Sequence, residues 1–467
     1  MFRSIANTLG NCFKIPELKS RILFTIMLLA VCRLTAFIVI PGINGHELAA
    51  YFNENSQNGG GLLVMYNTFA GGALGNCAVS SLGIMPYISA TIILQLLSAV
   101  WPKLSKLARE EGGRTKIVQY GRYGTVLLCV LQGGYFAHNW LTPEAAFRNF
   151  HGQLVMTQNL FAYYIVTVTV MTAGTMLLMW IGEQITERGI GNGVSLVITI
   201  GILARLPNAA QGAVDMFSSH GGTTEPLHKF WTTAPVLIVL LVIVVAGVIA
   251  ITQAQRKVPV QYAQRAVGRK MYQGGTSFLP LRVNYAGVMP IIFAQSILLF
   301  PQTVFRYLEN AITLPSLKFL HDACLWMDIQ LGYGSFMYLA LYSLMILFFS
   351  YFWVATQFNE IQIADDLKKN GGYIPGVRPG QGTSDYLHHA MSRITLAGAI
   401  FLTVIATIPI ILYKMMNVDQ NVASFFGGTS ILIAVGVLLD TMRQVESHLM
   451  MRHYDGFLKK GRLRGRF

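Results

Sequence analysis

The chain has 467 residues, of which 53% are hydrophobic and only 12% are charged, and its formal net charge is +14. Soluble domains carry about 25% charged residues, so this composition excludes an ordinary soluble protein. The mean hydropathy is +0.49, and apolar runs long enough to cross a bilayer, about 20 residues each, recur along the chain. The sequence therefore predicts a multispanning membrane protein.

Ten apolar segments have the length of membrane helices. In chain order they are residues 22–41, 78–100, 123–142, 160–181, 190–206, 233–252, 286–305, 336–356, 394–413 and 428–447. The residues before the first segment show neither a cleavable signal nor a transit pattern, so the first segment is expected to remain as an anchor. Ten spans place both termini on the same side of the membrane.

Lysine and arginine side chains divide unequally between the two sides. The termini and the loops on their side carry 28 of the 35 Lys and Arg residues, the opposite side carries five, and Arg33 and Arg205 fall inside spans. This asymmetry predicts that both termini are cytoplasmic. The predicted organisation is an N-terminus (1–21), a first half (22–206), an external loop (207–232), a second half (233–447) and a basic tail (448–467).

One motif occurs twice, about two hundred residues apart. Residues 83–86 read Gly-Ile-Met-Pro and residues 287–290 read Gly-Val-Met-Pro, and each opens an apolar segment. Glycine followed by proline indicates a helix that begins or bends within the membrane. Matching interrupted helices in two halves of a membrane protein indicate where a substrate passes.

The spans contain almost no ionisable side chain at mid-membrane depth, and this disfavours an ion-coupled transporter. Nothing in the sequence has the pattern of a nucleophile, a proton relay, a metal site or a disulfide framework. Residues 189–193 (GIGNG) superficially resemble a phosphate loop but are better interpreted as a tight turn between two spans. We therefore expect neither an enzyme nor a cofactor.

The two helices of the repeated motif offer the β-branched apolar side chains Ile84, Ile88 and Ile292, and the fifth span begins with Ile190 and Val194. Such side chains can form a hydrophobic constriction that seals by excluding water. For any one of them, packing or lipid contact remains the alternative. The Gly-rich residues 59–77 are too short to span the membrane and fit a re-entrant segment.

Two cytoplasmic loops are longer than a connection requires. Residues 253–285 are basic with almost no acid, and residues 357–393 include the stiff sequence PGVRPG at 375–380. Basic loops attract acidic proteins, RNA or anionic lipid. The positive-inside rule accounts for the charge but not for the length, so we interpret both loops as docking sites.

Six motifs, spread in order over nearly the whole chain, make the sequence similar to one family. They are FAGGAL (69–74), LGIMPYISA (82–90), GEQITERGIGNG (182–193), VNYAGVMP (283–290), IPGVRPG (374–380) and FGGTS (426–430). These motifs resemble bacterial SecY, the channel subunit of the general protein translocase.

The resemblance implies an all-α polytopic fold of ten transmembrane helices, arranged as a clamshell of two inverted-repeat halves. A re-entrant plug of about residues 62–76, with Asn67, Thr68, Phe69, Ala70, Gly71, Gly72, Ala73, Leu74, Gly75 and Asn76, would close the resting channel. The pore ring would consist of Ile84, Ile88, Ile190, Val194, Ile292 and Ile433. Val194 stands where isoleucine is usual, and Met289 would lie beside the ring.

The resemblance also implies a lateral gate and a docking surface. The gate, between the second and seventh spans, would include Pro86, Gln95, Asn284 and Pro290. Docking of the ribosome or of the SecA ATPase would use Arg256, Lys257, Arg265, Lys368, Lys369 and Arg378. Residues 252–254 (Thr-Gln-Ala) replace the usual Glu-Arg-Gly, and Gln261 replaces an asparagine, so local partner contacts are expected to differ.

The favoured function is a channel that passes unfolded secretory polypeptides and releases transmembrane segments sideways into lipid, in the bacterial inner membrane. SecA or the translating ribosome would supply the energy, and the small subunits SecE and SecG would be companions, with anionic lipid around them. One alternative is a secondary transporter or flippase with an apolar central site. Another is a scaffold whose basic loops merely recruit ribosomes, which leaves the isoleucines without a purpose.

Overall fold

The structure is a computed structural model. It describes residues 15–57, 66–110, 112–143, 150, 152–157, 159–217, 225–262, 265–267, 270–272, 275–311, 318–332, 334–416, 422 and 429–460. The start of the predicted N-terminus (1–14), the first residues of the predicted plug (62–65) and the end of the basic tail (461–467) lie outside the described residues.

The chain divides into two compact units, which we describe separately. Unit 1 comprises Met1–Leu227, Asp419–Val422 and Ile433–Phe467, and unit 2 comprises His228–Val418 and Ala423–Leu432. The predicted division into spans one to five and six to ten remains a prediction.

The described residues are mostly helical, 76% by fraction. Up to the unit boundary the helices are α1 (Pro16–Thr35), α2 (Gly45–Gln57), α3 (Met85–Val100), α4 (Pro102–Arg109), α5 (Gly113–Leu141), α6 (Leu160–Arg188), α7 (Gly193–Leu203) and α8 (Leu206–Phe217). They are followed by α9 (Glu225–Gln253), α10 (Met289–Ala311), α11 (Lys318–Leu331), α12 (Phe336–Gln357), α13 (Glu360–Lys369), α14 (Gln381–Met416) and α15 (Thr429–Lys460).

Each of the ten predicted spans overlaps one helix, but several limits differ. Helix α1 begins at Pro16 rather than at residue 22, because proline suits the first turn of a helix, where its missing N–H is not needed. The second span was predicted from residue 78, yet residues 78–84 form turns and α3 begins at Met85. Helices α2, α4, α11 and α13, and nearly all of α8, lie in stretches for which the sequence predicted no span.

Five helical stretches in the described part of the chain are long and apolar enough on their own to cross a membrane. They are Leu160–Arg188, Gly193–Gly212, Pro235–Gln253, Phe336–Lys369 and Gln381–Leu412, and two shorter apolar stretches are Met85–Ser98 and Met289–Leu298. These stretches make the chain a multi-pass membrane protein. The total of ten crossings remains a prediction.

The repeated motif has the same backbone geometry in both places. Gly83 has φ +59° and Gly287 has φ +63°, a left-handed conformation that glycine adopts without steric cost. Helices α3 and α10 each begin two residues later, at Met85 and Met289. The glycine turn and the proline therefore set where both helices start.

In unit 1, helix α5 packs against both α3 and α6, and α6 also packs against α1 and α7. A two-pronged ion pair joins α5 to α6: Arg122 donates from Nε to Glu183 Oε1 at 3.1 Å and from Nη2 to Oε2 at 2.8 Å. In unit 2, helix α12 packs against α10 and α14.

The all-α prediction missed a small β-structure in unit 2. Strands β1 (Gln255–Tyr262), β4 (Thr276–Arg282) and β5 (Gly372–Tyr373) form an antiparallel sheet in the order β4–β1–β5. Strands β2 (Arg265–Val267) and β3 (Lys270–Tyr272) form a separate hairpin. Because β5 comes from the second long loop, the sheet joins the two loops that the sequence treated as separate.

Candidate functional site

The predicted plug is a compact, hydrogen-bonded turn structure in unit 1. Residues 66–69 form one helical turn, and turns continue through residue 77. The buried Asn67 organises this segment: its Oδ1 accepts the Gly75 N–H at 2.9 Å, and its backbone carbonyl accepts the Gly72 N–H at 2.8 Å. The segment is thus folded mainly by its own short-range hydrogen bonds.

The ends of this segment are fastened to its surroundings. The Tyr66 hydroxyl donates to the Leu82 carbonyl at 2.8 Å, and the Ile40 N–H donates to the Cys77 carbonyl at 3.0 Å. In its middle, Arg33 Nη1 on α1 donates to the Gly71 carbonyl at 2.5 Å.

The predicted plug lies directly beside one of the predicted ring residues. A Cβ placed on Gly83 would lie 3.4 Å from Ala70 Cα. A cavity with a volume of about 30 Å³, enough for one water molecule, is lined by Phe69, Ala70 and Gly71 on one side and by Ile84 on the other. The structure thus brings the plug segment and Ile84 together.

The predicted ring residues are buried, with one exception. Ile84, Ile88, Ile190, Ile292 and Ile433 are buried, and Val194 is half-buried beside Gly182. Within unit 1, Ile84 and Ile88 lie one turn apart, and the Ile88 N–H donates to the Ile84 carbonyl at 3.2 Å.

Ile190 packs with residues other than those of the predicted ring. Ile190 precedes the first residue of α7 and packs against Leu18 and Val445. The α7 residues that share the cavity with Ile84 are instead Val197, Ile200 and Gly201. These residues reach the cavity because they lie more than one turn into the helix. Sequence spacing could not identify them as cavity residues, because α7 is apolar throughout.

The sequence predicted that the turn before α7 is structural and does not bind phosphate. In the structure the backbone N–H groups of this turn donate to neighbouring side chains. The Ile190 N–H donates to Thr25 Oγ1 at 3.1 Å, and the Gly191 N–H donates to Gln444 Oε1 at 2.8 Å. The Gly193 N–H donates to Thr186 Oγ1 at 2.9 Å. These donors are already occupied.

The two predicted gate amides each have a shielded polar atom without a hydrogen-bond partner among the described residues. These atoms are Gln95 Oε1 on α3 and Asn284 Nδ2 just before α10. An unsatisfied buried amide costs about 1–3 kcal/mol and is rare in native proteins. The predicted gate prolines, Pro86 and Pro290, lie in the first turns of the same two helices.

The predicted docking residues lie around the β-sheet of unit 2. Along β1, Val258 and Val260 point into a core with Leu281 and Ile374, while the other side chains are exposed. Among the predicted residues, those with exposed side chains are Arg256, Lys257, Lys368, Lys369 and Arg378; Arg265 lies on β2.

Contacts between and within the two long loops hold this cationic surface in place. The Tyr373 hydroxyl donates to Gln261 Oε1 at 3.0 Å, so the glutamine at this position links β5 to β1. The Thr383 hydroxyl donates to the Arg378 carbonyl at 3.0 Å and fixes the backbone of the PGVRPG loop. A Cβ on Gly380 would lie 3.9 Å from Lys368 Nζ, which brings this lysine beside the same loop.

The apolar helices, with the buried turn segment packed among them, define a multispanning membrane protein. Comparison with known proteins identifies its kind. The model of the SecY family matches residues 78–442. "Protein translocase subunit SecY" of Chlamydia muridarum is 43% identical over 468 residues, covering 98% of this chain and 99% of the relative.

Two solved structures share the fold. One, described as "The plug domain of the SecY protein stablizes the closed state of the translocation channel and maintains a membrane seal", has a TM-score of 0.57 at 16% identity and covers 95% of this chain and 94% of the other. "Sec61 in the Canine ribosome-channel complex from the endoplasmic reticulum" has a TM-score of 0.51 at 15% identity, with the same coverage of both chains.

The chain belongs to the SecY family. It is a protein-conducting channel and not an enzyme. The transporter or flippase alternative is not favoured.

Proposed function

We propose that residues 67–76 are the plug of this channel and that translocating polypeptides pass the apolar side chains beside it. The shared cavity between residues 69–71 and Ile84 is the observation that carries the proposal. The plug folds through its own hydrogen bonds, so it can move as a unit. The ring contains Ile84, Ile88, Val194, Ile292 and Ile433, with Val197 in the place first given to Ile190.

Unfolded secretory chains pass this ring, and transmembrane segments leave sideways between α3 and α10. The unpaired amides of Gln95 and Asn284 support the assignment of this gate, because each can gain a hydrogen bond when a partner approaches. The proposed setting is the bacterial inner membrane, with both termini in the cytoplasm. The distribution of Lys and Arg between the two sides supports this orientation.

Cysteine cross-linking tests the path. The five native cysteines are replaced, Ile88→Cys is introduced, and a secretory precursor with cysteines along its length is stalled in membranes supplied with SecA and ATP. Successive precursor positions are expected to form disulfides with residue 88. The matched control is Ile93→Cys on the same helix, because the Ile93 side chain is exposed whereas that of Ile88 is buried. Equal cross-linking at both positions, or none at residue 88, would overturn the assigned path.

The cationic surface of unit 2 is the proposed docking site for SecA and, alternately, for the ribosome. Its exposed, rigidly held arginines and lysines support this assignment, and one solved relative of the same fold is a ribosome-channel complex. SecE and SecG are the proposed small companions within the membrane, and anionic lipid is the proposed surrounding of the basic loops.

Reversal of one charge tests the docking site. Arg378→Glu is expected to lower SecA-dependent transport roughly tenfold, because charges at an interface mainly govern the association rate. Lys116→Glu, an equally exposed change in unit 1, serves as the control for total charge. Transport of a precursor into inverted membrane vesicles is measured at two salt concentrations. Equal transport by the two variants would remove Arg378 from the docking site.

A further inference from the structure

Two arginines bracket the middle of the plug segment in unit 1. Arg33 lies on α1, and Arg205 follows α7. A Cβ on Gly71 would lie 3.2 Å from Arg33 Nη1, and a Cβ on Gly72 would lie 3.2 Å from Arg205 Nη2. The two guanidinium groups therefore contact neighbouring residues of the same turn.

Neither arginine forms an ion pair with a carboxylate among the described residues. The Arg33 guanidinium lies over the Phe37 ring, 4.7 Å from its centroid, and donates to the Gly71 carbonyl. Cations at membrane depth are costly and are retained where they perform a function. The ring and the carbonyl lower this cost for Arg33, but among the described residues no carboxylate neutralises either charge.

The plug turn is shaped to receive these cations. Gly71 has φ +67° and Gly72 has φ +88°, and both lack the Cβ that would collide with a guanidinium. In this conformation the Gly71 carbonyl occupies an acceptor position at Arg33. The carbonyl dipole of the turn thus occupies the position at the Arg33 guanidinium that an anionic group could also occupy.

We propose that Arg33 and Arg205 form a charge-selective site for the passing polypeptide, occupied by the plug turn in the closed channel. The proposal rests on the assignment of the plug. When the plug leaves, the guanidinium groups face the path beside Ile84. Aspartate and glutamate side chains of the passing chain are attracted there, and lysine and arginine side chains are repelled.

The size of the effect follows from Coulomb's law. Two unit charges about 10 Å apart, at an effective dielectric constant of about 20, interact strongly enough to change a rate roughly tenfold. Water in the open channel reduces this value. We therefore expect a lysine-rich segment to pass roughly fivefold more slowly than a glutamate-rich segment of the same length, relative to a channel without the two charges.

The test uses three precursors that differ only in one segment of the mature region, which is lysine-rich, glutamate-rich or uncharged. Their transport rates are measured in proteoliposomes with the complete translocase. The variants are R33Q/R205Q, which removes both charges, and R33K/R205K, which keeps the charges but not the guanidinium geometry. Arg188→Gln, at an exposed position at the end of α6, controls for net charge. If the double variant does not assemble, the single variants Arg33→Gln and Arg205→Gln, which each remove one charge, are measured instead.

The rate ratio of the glutamate-rich to the lysine-rich precursor is expected to fall at least threefold in R33Q/R205Q, and by part of that in each single variant. It should stay near the wild-type value in R33K/R205K and Arg188→Gln. An unchanged ratio in the glutamine variants overturns the charge-selective site. Absence of disulfide formation at residue 88, in the cross-linking experiment described above, would count against the proposed function instead.

Discussion

Gly72→Val is expected to make the resting channel leak ions. Gly72 has φ +88°, and a Cβ there would lie 3.2 Å from Arg205 Nη2. A residue with a Cβ pays about 1–2 kcal/mol for this backbone conformation, and the β-branched side chain must also displace the guanidinium. A shift of about 2 kcal/mol in the plug equilibrium raises the unsealed fraction roughly thirtyfold.

The matched control is Gly112→Val. Gly112 has φ +79° but nothing within 4 Å of its Cβ position, so the variant has similar backbone strain away from the plug. Conductance of the purified channel is measured across a planar bilayer without precursor. Gly72→Val should conduct persistently, while Gly112→Val should remain closed. Equal conductance in the two variants would show that residues 67–76 do not seal the channel.

Gly174→Ala is expected to destabilise unit 1 strongly. A Cβ at this position of α6 would lie 2.2 Å from the Val79 carbonyl oxygen and 2.7 Å from its carbonyl carbon. That backbone is held in place, because the Val79 N–H donates to the Ile38 carbonyl at 2.8 Å. Helix α6 must therefore move away, and overpacking of this kind costs about 1–3 kcal/mol or more.

Gly134→Ala on the neighbouring helix α5 is the control, since nothing lies within 4 Å of its Cβ position. There alanine is expected to be neutral or to stabilise the helix by up to about 1 kcal/mol. Thermal unfolding of both variants is followed in detergent. A midpoint for Gly174→Ala equal to that of Gly134→Ala would contradict the close contact between α6 and residue 79.

The sequence alone determined the class of the molecule and the approximate position of its long apolar helices. Hydropathy placed a helix in each of the ten segments, because a long apolar run has few other stable forms in a membrane. The repeated Gly-Ile/Val-Met-Pro motif identified the two helices that begin after a glycine turn, because glycine and proline restrict the local backbone. The motif at residues 69–74 identified the segment that packs beside Ile84.

The tertiary structure decided which side chains meet. Ile190 and Val197 are both apolar residues near the start of the fifth span, and the sequence does not distinguish them. In the structure Ile190 packs against Val445, whereas Val197 lines the cavity beside Ile84. The two-residue strand β5 has no sequence signal of its own and forms because β1 offers it an edge. The contact of Arg33 and Arg205 with one turn, across more than 170 residues of chain, likewise depends on how α1 and α7 pack. Local patterns fix local backbone, whereas contacts between distant residues follow from the packing of whole elements.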